Sequence, residues 1–378
     1  MDQIVIPGCD PIKRLDVTAD KFFQKSTVIY GPSRTGKSVY IRNILYQLKD
    51  MVEYAIVVCP TELSTPNPSY LDIIPKLCIH SRMFIPNPDG QKEKPKDGIL
   101  RFFETILQLQ TAKSEAYKLA NSVSSMKAIL KAAPKTKQRE ELYDILYDAD
   151  DKRATLVDHL YQHKIDEAER AAAVANLDEK FTELVKSTIK KYLLANISSI
   201  MRELQKHPVK NADLISYLKL INSNPNIILV LDDCASDLKE VSKIPDFIKL
   251  FYQGRHFNVT VILTCQDDTD LAANLRKNIF YSIYSSAAIA NCAVQRAKVP
   301  KKIAQMIEKA NEKIYTGTHN TKLVYVRELN TFFFSVSVHP LPKFRIGCDE
   351  CWKICDKIIM SEKTASEKST NKFKNLFS

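Results

Sequence analysis

The sequence predicts an α/β fold: a mainly parallel central sheet flanked by helices, with a long helical insertion between the second and third strands. Three observations lead there. The runs "YAIVVCP" (54–60), "NIILVLDD" (226–233) and "VTVILTC" (259–265) are short, continuous and apolar, as strands buried on both faces are. Segments with apolar residues at helical spacing separate them, which is the pattern of a sheet covered by helices. A glycine-bearing stretch, "GPSRTGKS" (31–38), joins a β-rich run to a helical pattern, where a phosphate-binding loop belongs.

Taken in order, "FFQKSTVIYG" is the first strand and ends in glycine. Ile41, Ile44, Leu45 and Leu48 then mark an amphipathic helix. The run at 54–60 is the second strand, closed by proline. A polar linker, "NPDGQKEKPKDG", opens a stretch of different composition, rich in Ala, Lys and Glu and nearly free of glycine. Three apolar faces are expected within it: Ile99, Phe102, Phe103 and Ile106; Leu142, Ile145, Leu146 and Ala149; and Phe181, Leu184, Val185 and Tyr192. "NADLISYLKLI" is expected to rejoin the core, with Asn211 as its cap. The runs at 226–233 and 259–265 are the third and fourth strands, and "IFYSIYS" (279–285) is a fifth. "KLVYVRELNTFFFSVSV" (322–338) reads as a hairpin turning at "ELN". The expected organisation is therefore 1–89 and 216–345 as the two parts of one core, 90–215 as the insertion, and 346–378 as a cysteine-containing tail. The polar end of that tail, from Ser361, has the composition of disordered chain.

Bulk composition narrows the class. The 378 residues carry 55 Lys+Arg against 44 Asp+Glu, a net +11, which fits either an anionic partner such as nucleic acid or a solvated basic surface. Nine scattered cysteines, with Cys59 and Cys265 closing apolar runs, fit reduced thiols rather than a disulfide framework. The first residues lack the layout of a signal peptide, and no apolar stretch has the length of a membrane span. The expectation is a soluble intracellular protein with no transmembrane segment.

The chemistry concentrates in two places. Gly31-Pro32-Ser33-Arg34-Thr35-Gly36-Lys37-Ser38 matches G-x-x-x-x-G-K-[ST], the loop of P-loop NTPases. Its backbone N–H groups wrap phosphates, Lys37 reaches the β- and γ-phosphates of ATP, and Ser38 holds Mg²⁺. In "ILVLDDC" an acidic pair ends a buried strand. Asp232 is the metal-side carboxylate, and Asp233 stands where a second acid polarises the attacking water. That pairing points to ATPases that couple hydrolysis to mechanical work. Gln266 ends the fourth strand, where a side chain can sense the γ-phosphate. Arg255 lies eleven residues earlier and reads either as a surface ion pair or as an arginine offered to a neighbouring subunit's nucleotide.

Together, "GPSRTGKS", "VLDDC" and "GRHFNVTVILTCQ" resemble the FtsK–HerA superfamily of DNA-pumping ATPases. Within it the chain is most similar to the poxvirus-type genome-packaging ATPases of nucleocytoplasmic large DNA viruses, through "TGKSVYIRNILY", "VVCPTELSTPNPSYLDIIPKLCIH", "LDDC", "GRHFN" and "LRKNIFY". These segments, within 26–82 and 226–297, cover about a third of the chain. The resemblance implies a RecA-like P-loop NTPase of the ASCE type, working as a hexameric or pentameric ring around double-stranded DNA. Such a ring pumps a viral genome into a capsid in the host cytoplasm (the viral factory) or virion, with capsid or inner-membrane proteins as partners. It makes Gln266 a sensor and Arg255 a trans arginine. Two departures stand out: the second acid is Asp where many relatives carry Glu, and the insertion is long for the viral family. A helicase, a conjugation-type DNA pump or a nucleotide-binding virion assembly factor would share much of this site.

Lesser features keep two readings each. Arg34 either touches nucleotide or is solvated at the loop's rim. Glu62 in "CPTE" either caps a turn or couples DNA contact to hydrolysis. Cys348, Cys351 and Cys355 either pack or bind zinc, with His339 or Cys9 as a fourth ligand. The lysines and arginines of "KAILKAAPKTKQR" and "KSTIKKY" either contact DNA or are solvated.

Overall fold

The computed structural model describes residues 2–7, 10–90, 93–163, 165–296, 300–316 and 320–358. Cys9, His319 and the tail from Ser361 lie outside the described residues. The chain divides into two compact units, one formed by Met1–Thr111 and Pro225–Ser378, the other by Ala112–Asn224.

The first unit is built on a sheet. A small ladder, β1 (Gln3–Ile4) and β2 (Ile12–Lys13), precedes the short helix α1 (Ala19–Phe22). Then come β3 (Ser26–Tyr30), helix α2 (Lys37–Leu48), β4 (Tyr54–Val58), the two-residue β5 (Ile79–His80) and the helix α3 (Pro95–Ala120). After the second unit follow β6 (Ile227–Leu231), β7 (Val259–Cys265), β8 (Tyr281–Tyr284) and the hairpin β9 (Thr321–Val326) and β10 (Thr331–Val336). Among the described residues the main sheet has eight strands in the order β10-β9-β8-β3-β7-β6-β4-β5. The pairs β10·β9 and β9·β8 are antiparallel, and the other pairs are parallel.

All residues of β3, β6, β7 and β8 are buried. Both faces are covered, so the runs are mainly apolar, with buried Ser26, Thr27, Thr260, Thr264 and Ser282 among them, and the apolar side chains divide between two cores by simple alternation. Val28, Leu229, Leu231, Val261 and Leu263 face one core, with Phe102, Phe103 and Ile106 of α3. Ile29, Ile228, Val230 and Ile262 face the other, with Tyr40, Ile41, Ile44, Leu45 and Leu48 of α2. Each α2 side chain in that group is fully buried. Truncating one, as in Leu45→Ala, would cost about 2–5 kcal/mol.

The register matters for function. Tyr30 pairs with Cys265, Leu231 with Leu263, and Val58 with Leu231. The carboxyl ends of β3, β7, β6 and β4 are therefore level, and the residues that follow them share one edge. Ligands of open α/β sheets bind at that edge. With a phosphate-type loop between the central strand β3 and helix α2, this is the α/β P-loop NTPase fold. Helices α9 (Ala235–Val241), α10 (Pro245–Gln253), α11 (Ala273–Arg276), α12 (Ala287–Arg296) and α13 (Lys301–Ile314) complete the unit.

The second unit is helical: α4 (Val123–Ala132), α5 (Lys137–Gln162), α6 (Glu167–Ala195), α7 (Ile197–Leu204) and α8 (Ala212–Leu220). Ser122 and Thr136 cap α4 and α5 by accepting from the N–H groups of Ser125 and Arg139, both at 3.2 Å. The expected apolar faces need correction here. On α6 the buried row is Val185, Ile189 and Leu193, the i, i+4 series, and Leu184 is exposed. On α5 Leu142 is buried but Ile145 is exposed. "NADLISYLKLI" does not rejoin the sheet. Its Leu218, with the following Ile221, lies in the helical unit's own cluster with Met126, Ile129 and Ile200. Asn211 occupies the cap position, but its side-chain amide donates to the Leu204 carbonyl at 2.9 Å instead.

Candidate functional site

The stretch 31–38 turns sharply because its backbone is unusual. Gly31 has φ 153° and Gly36, capping α2, has φ 78°, both within the range that favours glycine. Gly31 N–H donates to the Cys265 carbonyl at 3.0 Å, tying the loop to the neighbouring strand. A β-carbon on Gly31 would overlap the Ser285 hydroxyl, which donates to the Tyr30 carbonyl at 2.7 Å. Lys37 is buried and folded over the loop, donating to the carbonyls of Gly31 (2.8 Å) and Pro32 (2.9 Å). Arg34 also has a positive φ, 65°, and its side chain is exposed at the rim.

Asp232 sits opposite. It is 4% exposed, and its carboxylate accepts from three hydroxyls: Ser38 at 3.0 Å and Tyr70 at 2.6 Å on Oδ2, and Thr264 at 2.8 Å on Oδ1. Burial, and then the adjacent Asp232 carboxylate, push the Tyr70 phenol well above its ordinary range, so it stays a neutral donor. Asp233 follows in a left-handed conformation (φ 60°), exposed, with its N–H on Thr264 Oγ1 at 3.0 Å.

Tyr70 is held by its own loop. Buried Glu62 accepts from the backbone N–H groups of Ser69, Tyr70 and Leu71. Arg42 of α2 pairs with Asp72 through both guanidinium nitrogens (2.7 and 2.9 Å) and donates to the Ser69 carbonyl. Glu62 is thus occupied in fixing the turn after β4.

Gln266 follows Cys265 directly and so lies beside the loop. Its side chain is exposed, and its N–H donates to Asp270 Oδ2 at 2.9 Å. The short turn behind it is pinned by an Asp267–Asp270 capping box and by Arg276 and Arg296, which pair with Asp267 and Asp268. Arg255 is not with the others. It is exposed in the turn Gly254–Phe257 before β7, a strand length of about 20 Å from the loop edge. There it lines a cavity of about 380 Å³ with Lys25, Phe280 and Glu328. Cys348 and Cys351 bring their sulfurs to 3.4 Å, and Cys355 is buried. Among the described residues no group of three or more His, Cys, Asp or Glu is arranged to hold a metal ion. No helix is long and apolar enough to cross a membrane, among the described residues.

No protein-family model matches the sequence. The uncharacterized protein B354L of African swine fever virus (isolate Tick/Malawi/Lil 20-1/1983) is 35% identical over 366 residues, covering 95% of this chain and 94% of that one. The chain belongs to the B354L family. A second member, from isolate Pig/Kenya/KEN-50/1950, is 34% identical over 375 residues, covering 97% and 96%. The match runs across both units, so the helical unit belongs to the family as much as the sheet does. Among solved structures, the genome packaging NTPase B204 of Sulfolobus turreted icosahedral virus 2 is 12% identical with a TM-score of 0.35, covering 83% of this chain and 98% of that one. The bacterial conjugative coupling protein TrwB is 13% identical with a TM-score of 0.33, covering 92% of each. At those scores the strand order and the loop, rather than the likeness, carry the fold.

Sequence reading of this B354L-family site missed Tyr70, Thr264 and Ser285. Thr264 had a faint signal, a hydroxyl at the carboxyl end of a buried strand. Tyr70 lies in a loop, and Ser285 closes the run at 279–285; neither gave a signal of its role.

Proposed function

We propose that this chain is a P-loop ATPase that moves double-stranded DNA, acting as a ring of like subunits in packaging a viral genome. The observation that carries the reading is the convergence of the loop at 31–38 on a buried acid followed by a second, exposed acid, with Ser38 Oγ 3.0 Å from Asp232 Oδ2. Membership of a viral family and the resemblance of the segments around the site to packaging ATPases support duplex DNA as the substrate.

A hydroxyl and a carboxylate oxygen converging beside a phosphate-type loop are hard oxygen donors, the set that suits Mg²⁺. Ser38 and Asp232 would hold it, and when bound it neutralises charge on the β- and γ-phosphates. The chain's own residues do the rest. The loop N–H groups bind phosphate. Lys37 exchanges the Gly31 and Pro32 carbonyls for phosphate oxygens. Thr264 and Tyr70 keep the Asp232 carboxylate in one orientation. Asp233 takes the exposed position from which a carboxylate can order the attacking water, and Gln266 stands beside the loop to report on the γ-phosphate. Arg255 is at the far end of β7 and serves a neighbouring copy's nucleotide, where such an arginine is worth about 10³-fold or more in rate.

The test compares movement on blunt duplex DNA with strand separation on forked DNA, both with ATP. Translocation on the duplex without unwinding is expected. Efficient unwinding with no duplex translocation would overturn the packaging reading in favour of a helicase.

A further inference from the structure

The hairpin β9–β10 lies two strands from β3, yet it reaches the phosphate-type loop. Lys322, the second residue of β9, pairs in register with Ser335 of β10 and has no exposed surface. A fully buried lysine is rare unless a partner requires it. Here Nζ donates to the carbonyl oxygen of Thr35 at 2.8 Å. The same residue is held from its side chain, because Thr35 Oγ1 lies 2.8 Å from the Pro32 carbonyl oxygen and 2.7 Å from Ser285 Oγ. The loop is thus gripped at Thr35 from the β8–β9 side, and Thr35 Oγ1 shares the Pro32 carbonyl with Lys37 Nζ.

The Thr35 carbonyl and the Gly36 N–H belong to one peptide group. A cation on the carbonyl draws electron density from the N–H at the other end and makes it a stronger donor, as charge-assisted networks do. It also fixes the plane of that peptide in a segment whose next residue is in the left-handed region. We propose that Lys322 is a positioning residue of the nucleotide loop, orienting and polarising the Thr35–Gly36 peptide toward bound phosphate. The proposal rests on residues 31–38 being a nucleotide loop. Burial pushes the Lys322 ammonium down to about 8, which leaves it mostly charged at neutral pH.

Losing an interaction made equally in ground and transition states raises KM and leaves kcat alone. The experiment measures binding of a fluorescent ATP analogue and steady-state ATP hydrolysis for the wild type, Lys322→Met and Lys322→Gln, with thermal melts of each. The Lys322–Thr35 hydrogen bond is made with or without nucleotide, so only a fraction of its energy reaches binding, and K322M is expected to raise the analogue Kd about threefold to tenfold. KM should rise in parallel while kcat stays within about threefold. K322Q, which keeps a donor without the charge, should fall between. K322M that melts cooperatively and binds within about twofold of the wild type would overturn the proposal. If K322M does not fold, K322Q decides, and an unchanged Kd there overturns it equally. A wild-type chain that binds no nucleotide would instead overturn the loop reading on which the proposal stands.

Discussion

Tyr70→Phe removes one oxygen and leaves a ring of the same shape in a fully buried place. The lost contact is the 2.6 Å hydrogen bond to Asp232 Oδ2. Hydrogen bonds to charged groups contribute about 1.5–3 kcal/mol. The low end applies here, because Asp232 keeps Ser38 on Oδ2 and Thr264 on Oδ1, so no buried acceptor is orphaned. The ring stays, so no cavity opens. A loss of about 1.5 kcal/mol corresponds to a melting point lowered by roughly 3–6 °C in a unit of this size. A thermal melt without nucleotide reads this directly. ATP hydrolysis titrated with Mg²⁺ should then show a higher Mg²⁺ requirement, since Tyr70 helps hold still Asp232, the proposed Mg²⁺ ligand. Y70F combined with Thr264→Val should be non-additive, because both hydroxyls act on one carboxylate. A Y70F melting point within about 1 °C of the wild type, with an unchanged Mg²⁺ titration, would refute the view of Asp232 as a carboxylate fixed by hydroxyls.

Other outcomes are expected. Arg255→Ala should abolish turnover yet bind an ATP analogue nearly as well as the wild type. Mixing it with Lys37→Ala subunits should restore part of the activity; no recovery in demonstrably mixed rings would show that Arg255 does not act in trans. Gly31→Ala should be destabilised, because its β-carbon meets Ser285 Oγ at a strained φ. Adding Ser285→Ala should recover only part of that loss by melting temperature, since the backbone strain remains; full recovery would mean that crowding alone requires the glycine. Glu62→Gln should lower stability by about 1–3 kcal/mol in a thermal melt while leaving kcat nearly intact, because the Glu62 carboxylate is occupied by the backbone N–H groups of the turn.

What the sequence could reveal followed from continuity along the chain. The loop 31–38 and the pair Asp232–Asp233 are contiguous, so their spacing speaks directly. The strands β3, β6, β7 and β8 are buried on both faces, which makes each a mainly apolar run, unbroken in β6 and interrupted only by Ser or Thr in the others. The helices of the second unit were read less well. Long α5 and α6 bury a narrow row, and neighbours such as Ile145 and Leu184 fall just off it. The partners that shape the site were hidden for another reason. Tyr70 meets Asp232 across 162 residues of sequence, and Lys322 meets Thr35 across 287. No local pattern marks a tyrosine in a loop or a lysine in a hairpin as destined for a distant carboxylate or carbonyl. Only the strand order and register, which bring β4, β6, β7 and β9 to the loop, make those meetings visible.

The central claim is that this chain turns over ATP in the service of duplex DNA. The most direct measurement is the rate of phosphate release by the purified protein with Mg²⁺, with and without long double-stranded DNA, beside Lys37→Ala. Hydrolysis should be stimulated by duplex DNA and abolished by Lys37→Ala. Nucleotide turnover absent under all these conditions, or equal in the wild type and Lys37→Ala, would contradict it.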